Sequence, residues 1–331
     1  MKIFLTGSTG FVGGHVARAL ADQGGDLRLL VRKASKLDSL QGIRAETHLG
    51  DLAEPESLRS GLAGCEALVH VAADYRLWIP DPEAMYRVNV DGTRALLRLA
   101  REAGVKRVVY TSSVATLRFH TDGRNSDEDT PTRLDDMVGH YKRSKFLAEQ
   151  EALSAARAGQ AVVVLNPSAP VGPGDAKPTP TGRILVDFLN GRFPAYMDTG
   201  LNLVDVREVA RAHAAALTRG EAGRRYVLGG ENLTLKQILD ALSALSGRPS
   251  PRLRVPYAAA LAYAGFEEWF SGRLLKREPR ATLEEVRMGK KKMYVSSERA
   301  RRELGFNILP AAPALEAAVA WFRERGYAPK A

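Results

Sequence analysis

Glycines at positions 7, 10 and 13 follow directly on a short apolar run, Lys2-Leu5, and lead into an amphipathic run over Val12-Leu20. Few folds need that arrangement. A bare backbone allows a tight turn, close packing of the following helix, and approach of an anion to the positive helix end. The spacing predicts a strand-turn-helix unit that cradles a dinucleotide, with Gly7, Thr9, Gly10, Phe11, Val12 and Gly13 against the pyrophosphate.

The pattern repeats downstream. Apolar runs at Leu27-Val31, Ala67-Ala72, Arg107-Ser112 and Ala161-Leu165 read as strands, and Val90-Ala103 and Tyr141-Ala156 as helices. Strands apolar along their whole length belong to a sheet covered on both faces. At about 150 residues per domain, 331 residues allow two domains. The expected fold is α/β: a Rossmann-like doubly wound parallel sheet with a smaller, mostly helical C-terminal substrate domain. The cofactor domain is expected over 1–166 with 200–230, and the substrate domain over 167–199 with 231–331. In detail, Pro167-Gly182 reads as a loop and Ile184-Asn190 as a helix. The strand and helix in Leu203-Leu217 and the strand Tyr226-Gly229 are expected to return to the first domain. The chain beyond Leu233 reads as helical apart from a strand-like patch at Met293-Ser296, and Thr121-Asp136 as an exposed loop.

Composition narrows the function classes. With 45% hydrophobic and 26% charged residues the chain is globular rather than fibrous or disordered. One cysteine, Cys65, fits a reducing cytoplasm, and the six histidines have no metal-ligand spacing, so no metal is expected. No phosphate-binding G-x-x-x-x-G-K-[ST] loop, no secretory signal and no aromatic-basic interleaving occur, which argues against an NTPase, export and nucleic acid. The apolar stretch Val255-Phe266 is too short to span a bilayer. It reads first as a core helix, with a helix lying on a membrane surface as the alternative. A net charge of +10 calls for an anionic partner; 271–302 holds eleven Lys/Arg, among them Arg273, Lys276, Arg277, Lys290, Lys291 and Lys292, against four Glu. An anionic substrate group, a lipid surface and a solvated helix face all remain open.

Three clusters carry chemistry. The second strand ends in Arg32-Lys33, whereas its own acid, Asp26, begins it; a base there suits the 2′-phosphate of NADP(H), so NADP(H) is favoured over NAD(H). Asp51 and Leu52, in the Gly-Asp-Leu at 50–52, are adenine-side candidates. Tyr141 and Lys145 share one helix face, where an ammonium can stabilise a phenolate for acid/base work on an alcohol or ketone. Ser113, with Ser112 in reserve, ends a strand where a hydroxyl can donate to a developing oxyanion. Asp74-Trp78 reads equally as substrate-pocket lining or as a surface loop.

The segments TGSTGFVGG, GDL (50–52), VAA (71–73), NVDGT (89–93), TSS (111–113) and YKRSK (141–145) resemble, in order and spacing, the extended short-chain dehydrogenases/reductases. Nearly the full chain, including GHYKRSKFLAEQ and NPSAPVGPGDAKPTPTGRI, is similar to the hopanoid-associated sugar epimerase group and to dihydroflavonol-4-reductase-like ketone reductases. The resemblance implies Tyr141 as acid/base, Lys145 lowering its pKa and holding the nicotinamide ribose, and Ser113 orienting the substrate oxygen. It also implies Val71, Ala72 and Ala73 along the cofactor, Pro167 near the carboxamide, and a homodimer. Ala169 stands where many nucleotide-sugar epimerases carry a substrate-holding Asn.

The sequence thus points to an NAD(P)-dependent hydride-transfer enzyme acting at a secondary alcohol or ketone, of a sugar-like substrate in hopanoid side-chain assembly by resemblance. An NADPH-dependent ketone or aldehyde reductase is the alternative, and a non-catalytic NADP-sensing regulator the reading from another class. The substrate is a small molecule, anionic or lipid-linked. The expected location is the cytoplasm, with peripheral contact to the inner membrane face left open.

Overall fold

The computed structural model describes residues 1–329 except Trp78, Thr121, Leu275, Lys276 and 278–280, and leaves undescribed the side chain of Arg273. The expectations placed on Trp78, Thr121, Lys276 and the Arg273 side chain therefore lie outside the described residues.

Seven parallel strands form the main sheet. They are β1 (Lys2–Thr6), β2 (Asp26–Val31), β3 (Glu46–Leu49), β4 (Ala67–His70), β5 (Arg107–Thr111), β6 (Val162–Pro167) and a last strand, Arg225–Leu228. Their order across the sheet, from the last strand through β6, β5, β4, β1 and β2 to β3, reverses direction between β1 and β4. That is the doubly wound arrangement, and its ligand crevice lies at the carboxyl ends beside the reversal.

Side-chain alternation explains why the strands are apolar throughout. Ile3, Leu5, Val109, Val163 and Leu165 pack into the core on one face, and Phe4, Val108, Tyr110, Val162 and Val164 into the core on the other. Helices Phe11–Asp22 and Val206–Thr218 pack against each other on the first face. Gly92–Glu102 and Gly139–Arg157 cover the second.

Several elements differ from expectation. The segment Pro167-Gly182 is not one loop. Pro167 closes β6, Ala169–Val171 is a strand, and a helix begins at Pro180. Proline there is the first helical residue, where its missing N–H costs nothing, and the Thr179 hydroxyl accepts from Gly182 N at 3.1 Å. The strand expected near Leu203 runs over Gly200–Asp205 and joins Ala169–Val171 and Glu231–Thr234 in a separate three-stranded sheet, not the main one. The Met293-Ser296 patch contributes only single bridges, Met293 to Leu201 and Val295 to Ser126. The Thr121-Asp136 segment is anchored rather than wholly exposed. Glu128, buried, accepts from Val227 N at 2.6 Å and so caps the last strand's outer edge. Val255-Phe266 is not a core helix: Tyr257–Glu267 buries only Ala260, Ala264 and Glu267. Its apolar residues run all round the helix, more than one packed face can cover.

Two fully buried histidines tie the sheet to its helices. His70 lies between the hydroxyls of Thr6 (2.7 Å) and Thr93 (3.0 Å), and His213 between the Thr111 hydroxyl (2.8 Å) and Val209 O (2.7 Å). Burial pushes His70 down to about 3 and His213 down to about 4. Between pH 6.5 and those values the unfolded chain binds more protons than the native one, so each histidine costs stability as pH falls. Asp175, which burial raises to about 6, and Glu284, raised to about 7, titrate in the opposite sense. The histidine contribution is therefore read as a difference. The loss of stability in His213→Gln, measured by urea unfolding, is expected to be smaller at pH 5 than at pH 7 by ~2 kcal/mol. An equal loss at both pH values would mean that His213 is not held neutral.

Candidate active site

The glycine turn sits at the point where the strand order reverses. Gly7 has φ +77°, and a Cβ on it would lie 2.6 Å from Ala72 N; a Cβ on Gly13 would lie 2.0 Å from Gly7 O. Any side chain at either position would push the turn off the end of β4 or off its own helix. Gly10 donates to Gly7 O at 3.0 Å and caps the helix without a side chain, leaving first-turn N–H groups to an external anion. Thr9, Phe11 and Val12 line the same partly open rim. Beyond β4, Val71 N reaches Thr6 O (3.3 Å) and Ala72 N reaches Thr6 Oγ1 (3.2 Å), which lays Val71, Ala72 and Ala73 alongside the turn. This cradle fits a dinucleotide.

Arg32 and Lys33 are exposed just past β2, and Arg32 N is fixed by Ser35 Oγ at 3.0 Å. Asp26 opens that strand, about 20 Å from Arg32 at ~3.3 Å per residue, and so belongs to the sheet's other end. Asp51 shapes its own turn by accepting from Ala53 N at 3.0 Å, and Leu52 is buried under Gly92. Arg32, Lys33, Asp51 and Leu52 thus lie just past the carboxyl ends of β2 and β3. Pro167 is at the carboxyl end of β6, paired in register with Leu228.

Helix Gly139–Arg157 brings Tyr141 and Lys145 to the end of β5. Lys145 Nζ donates to Thr111 O at 2.8 Å and approaches Tyr110 Oη at 3.3 Å. Burial lowers Lys145 to about 8, with Glu149 pulling it up. Burial pushes the Tyr141 phenol up, and the opposing pull comes from the Ser113 hydroxyl. Lys145 is hydrogen-bonded to the β5 backbone rather than to the phenol. The two serines also separate. Ser112 Oγ donates to Glu149 Oε2 at 2.6 Å inside the protein, whereas Ser113, partly exposed, approaches Tyr141.

Sequence reasoning missed the groups that hold this geometry. Glu149 is fully buried and accepts from Ser112, Thr116 (3.0 Å), Asn166 (2.6 Å) and Arg225 (3.1 Å). Its signal was an acid at i+4 from Lys145 and i+8 from Tyr141, on the same helix stripe. Asn89, in the wide turn Arg87–Asp91, donates to Ser144 Oγ (3.0 Å) and Asp74 O (2.8 Å) and accepts from Asp74 N (2.7 Å). It thereby ties the loop after β4 to the Tyr141 helix. The C-terminal part adds Glu284, whose carboxyl lies so close to Gly139 that a Cβ there would collide with it. The carboxyl is near Lys142, which burial lowers to about 8.

Residues 3–229 match the family described as NAD dependent epimerase/dehydratase. The chain belongs to this family. It is an NAD(P)-dependent enzyme of the short-chain dehydrogenase/reductase type. Among relatives, a Synechocystis protein provisionally named dihydroflavonol 4-reductase is 45% identical over 98% of this chain and 95% of its own length. Sterol demethylase protein B of Methylococcus capsulatus is 36% identical over 98% of this chain and 99% of its own. The crystal structure of gox2253 superposes with a TM-score of 0.89 at 46% identity, covering 98% of this chain and 99% of that one. A nucleoside-diphosphate-sugar epimerase from Pseudomonas aeruginosa, PA4631, has a TM-score of 0.82 at 27% identity over 99% of each chain.

Proposed function

We propose that this family member is an NADPH-dependent reductase that turns a ketone on a bulky, largely apolar skeleton into a secondary alcohol. The observation that carries the reading is the partition of the two serines: Ser112 is consumed by Glu149, leaving Ser113 beside the Tyr141 phenol at the crevice. NADPH, when bound, supplies the hydride. Gly7, Gly10 and Gly13 with the first helical N–H groups would hold its pyrophosphate, and Arg32 and Lys33 its 2′-phosphate. Tyr141, kept protonated by burial, gives its proton to the oxygen as charge develops there, while Ser113 donates a hydrogen bond to the same oxygen. Lys145, fixed on Thr111 O, supplies the positive charge that makes the phenolate tolerable after transfer and is placed to hold the nicotinamide ribose. The substrate enters from the side built by 167–199 and 231–331.

The apolar skeleton is supported by relatives named for a sterol demethylase protein, for a farnesyl-quinoline-oxide ketoreductase of Stigmatella aurantiaca (32% identical) and for a 2-alkyl-3-oxoalkanoate reductase (30%). Ala169, with no polar side chain, supports it too. A second reading, epimerisation of a sugar-like group, is favoured by the likeness to PA4631. The two separate on cofactor stoichiometry: a reductase consumes one NADPH per product, and an epimerase returns the hydride. Incubating the enzyme with NADPH and a panel of lipid-borne ketones, and following absorbance loss, tests the proposal; turnover without net NADPH loss would support the second reading.

Cofactor choice has its own test. Arg32→Glu should weaken NADPH binding by ~10–100-fold, the loss of one or two charge-assisted bonds, and leave NADH binding unchanged. Tight co-purified NAD with no NADPH affinity in the unaltered protein would sink the Arg32 assignment.

A further inference from the structure

The helix Tyr257–Glu267 and the start of the wide turn that continues it present an apolar solvent face. Every exposed residue from 258 to 270 is apolar, three alanines together with Tyr263, Phe266, Trp269 and Phe270. The four large side chains are 48%, 55%, 58% and 39% exposed. They form an assembled ridge, with Phe266 and Phe270 stacked at 5.6 Å and Trp269 at 6.3 Å from Phe266. The two acids in this segment are held by hydrogen bonds. Glu267 is buried and accepts from Tyr263 Oη at 3.3 Å and Ser271 Oγ at 2.9 Å, and Glu268, half-buried, accepts from Leu283 N at 2.7 Å. The opposite side, through Ala260 and Ala264, is used up by packing on Leu283 and Val286.

Positive charge brackets the ridge. Lys290 Nζ lies 5.6 Å over the ring of Tyr257 at one end, and Arg277 N bonds Ser271 O (2.8 Å) at the other. Arg277, Arg287, Lys290 and Lys292 are all exposed. A second copy docking ridge to ridge would bring its own excess positive charge against this one, so charge complementarity disfavours self-association. Aromatic side chains flanked by Lys and Arg match instead the boundary between acyl chains and anionic headgroups. Among the described residues no helix is long and apolar enough to cross a membrane.

We propose that this aromatic ridge and its basic flanks dock the protein on an anionic lipid surface. The inference stands apart from the reductase reading, because it uses neither the glycine turn nor the Tyr141 helix. The test is co-sedimentation of the full chain with vesicles of phosphatidylcholine alone and of phosphatidylcholine with about one third phosphatidylglycerol. Binding is expected to the anionic vesicles only and to fall as salt is raised. Phe266→Ser/Trp269→Ser should weaken it at least about tenfold through lost apolar insertion. Lys290→Glu/Lys292→Glu should weaken it by a similar factor through charge alone. All four positions are exposed or partly exposed surface sites, and turnover of a water-soluble ketone should stay unchanged in both variants. Equal binding to neutral vesicles, no binding to either, or binding indifferent to both variants would overturn the proposal. So would a homodimer in solution that Phe266→Ser/Trp269→Ser dissociates, since the ridge would then be a subunit interface.

Discussion

Tyr141→Phe is expected to bind NADPH as the unaltered enzyme does and to lose kcat by roughly 10²–10⁴-fold, the range for deleting a positioned acid. The substitution removes one oxygen and keeps the ring, so the helix Gly139–Arg157 and the crevice wall it forms keep their shape. What disappears is the proton donor next to Ser113. Burial holds the phenol above its ordinary value, so at neutral pH it is the protonated form, the one a reduction needs, that faces the crevice. The measurement is kcat at saturating ketone and NADPH beside NADPH affinity by fluorescence. Turnover within a factor of about three of the unaltered enzyme would remove Tyr141 from the acid's role. A parallel collapse of NADPH affinity would instead show that the phenol holds the cofactor.

The second large effect is expected at a residue that touches no substrate. Glu149→Ala should destabilise the fold by about 3–5 kcal/mol, because the Arg225 guanidinium and the Asn166 amide lose the buried carboxylate that satisfies them. Ser112 and Thr116 lose it as well, and Asn166 also holds Ser113 O at 3.1 Å. The turn that carries Ser113 should therefore loosen, and kcat should fall together with stability. Urea unfolding and steady-state kinetics on one preparation check both. A stability loss below about 1 kcal/mol would mean that water replaces the carboxylate at no cost and that Glu149 does not organise the turn.

Those two residues divide what was legible. Tyr141 and Lys145 stand out because a four-residue spacing on a helix is a local property of the chain. Glu149 shares that helix face, yet its partners Asn166 and Arg225 are 17 and 76 positions away, and no local pattern announces them. For the same reason the preference for Ser113 over Ser112 could be guessed but not argued until Glu149 was seen to take Ser112. In Pro167 to Gly182 the Pro and Gly residues look like breakers, yet a strand partner at Gly200–Asp205 and a cap at Thr179 make them strand and helix ends.

Strands apolar along their whole length specify the parallel sheet, and a glycine turn between the first strand and its helix specifies the cradle, both from spacing over a few residues. How those parts are tuned depends on contacts between distant segments, such as the Ala72 backbone that leaves no room for a Cβ on Gly7. Burial raises Tyr141 although a lysine lies one turn away, and Lys145 is hydrogen-bonded to Thr111 O. The tertiary structure also leaves Tyr257–Glu267 on the outside, since Ala260 and Ala264 alone find packing partners there. Whether an apolar helix is core or surface depends on what the rest of the chain brings to it.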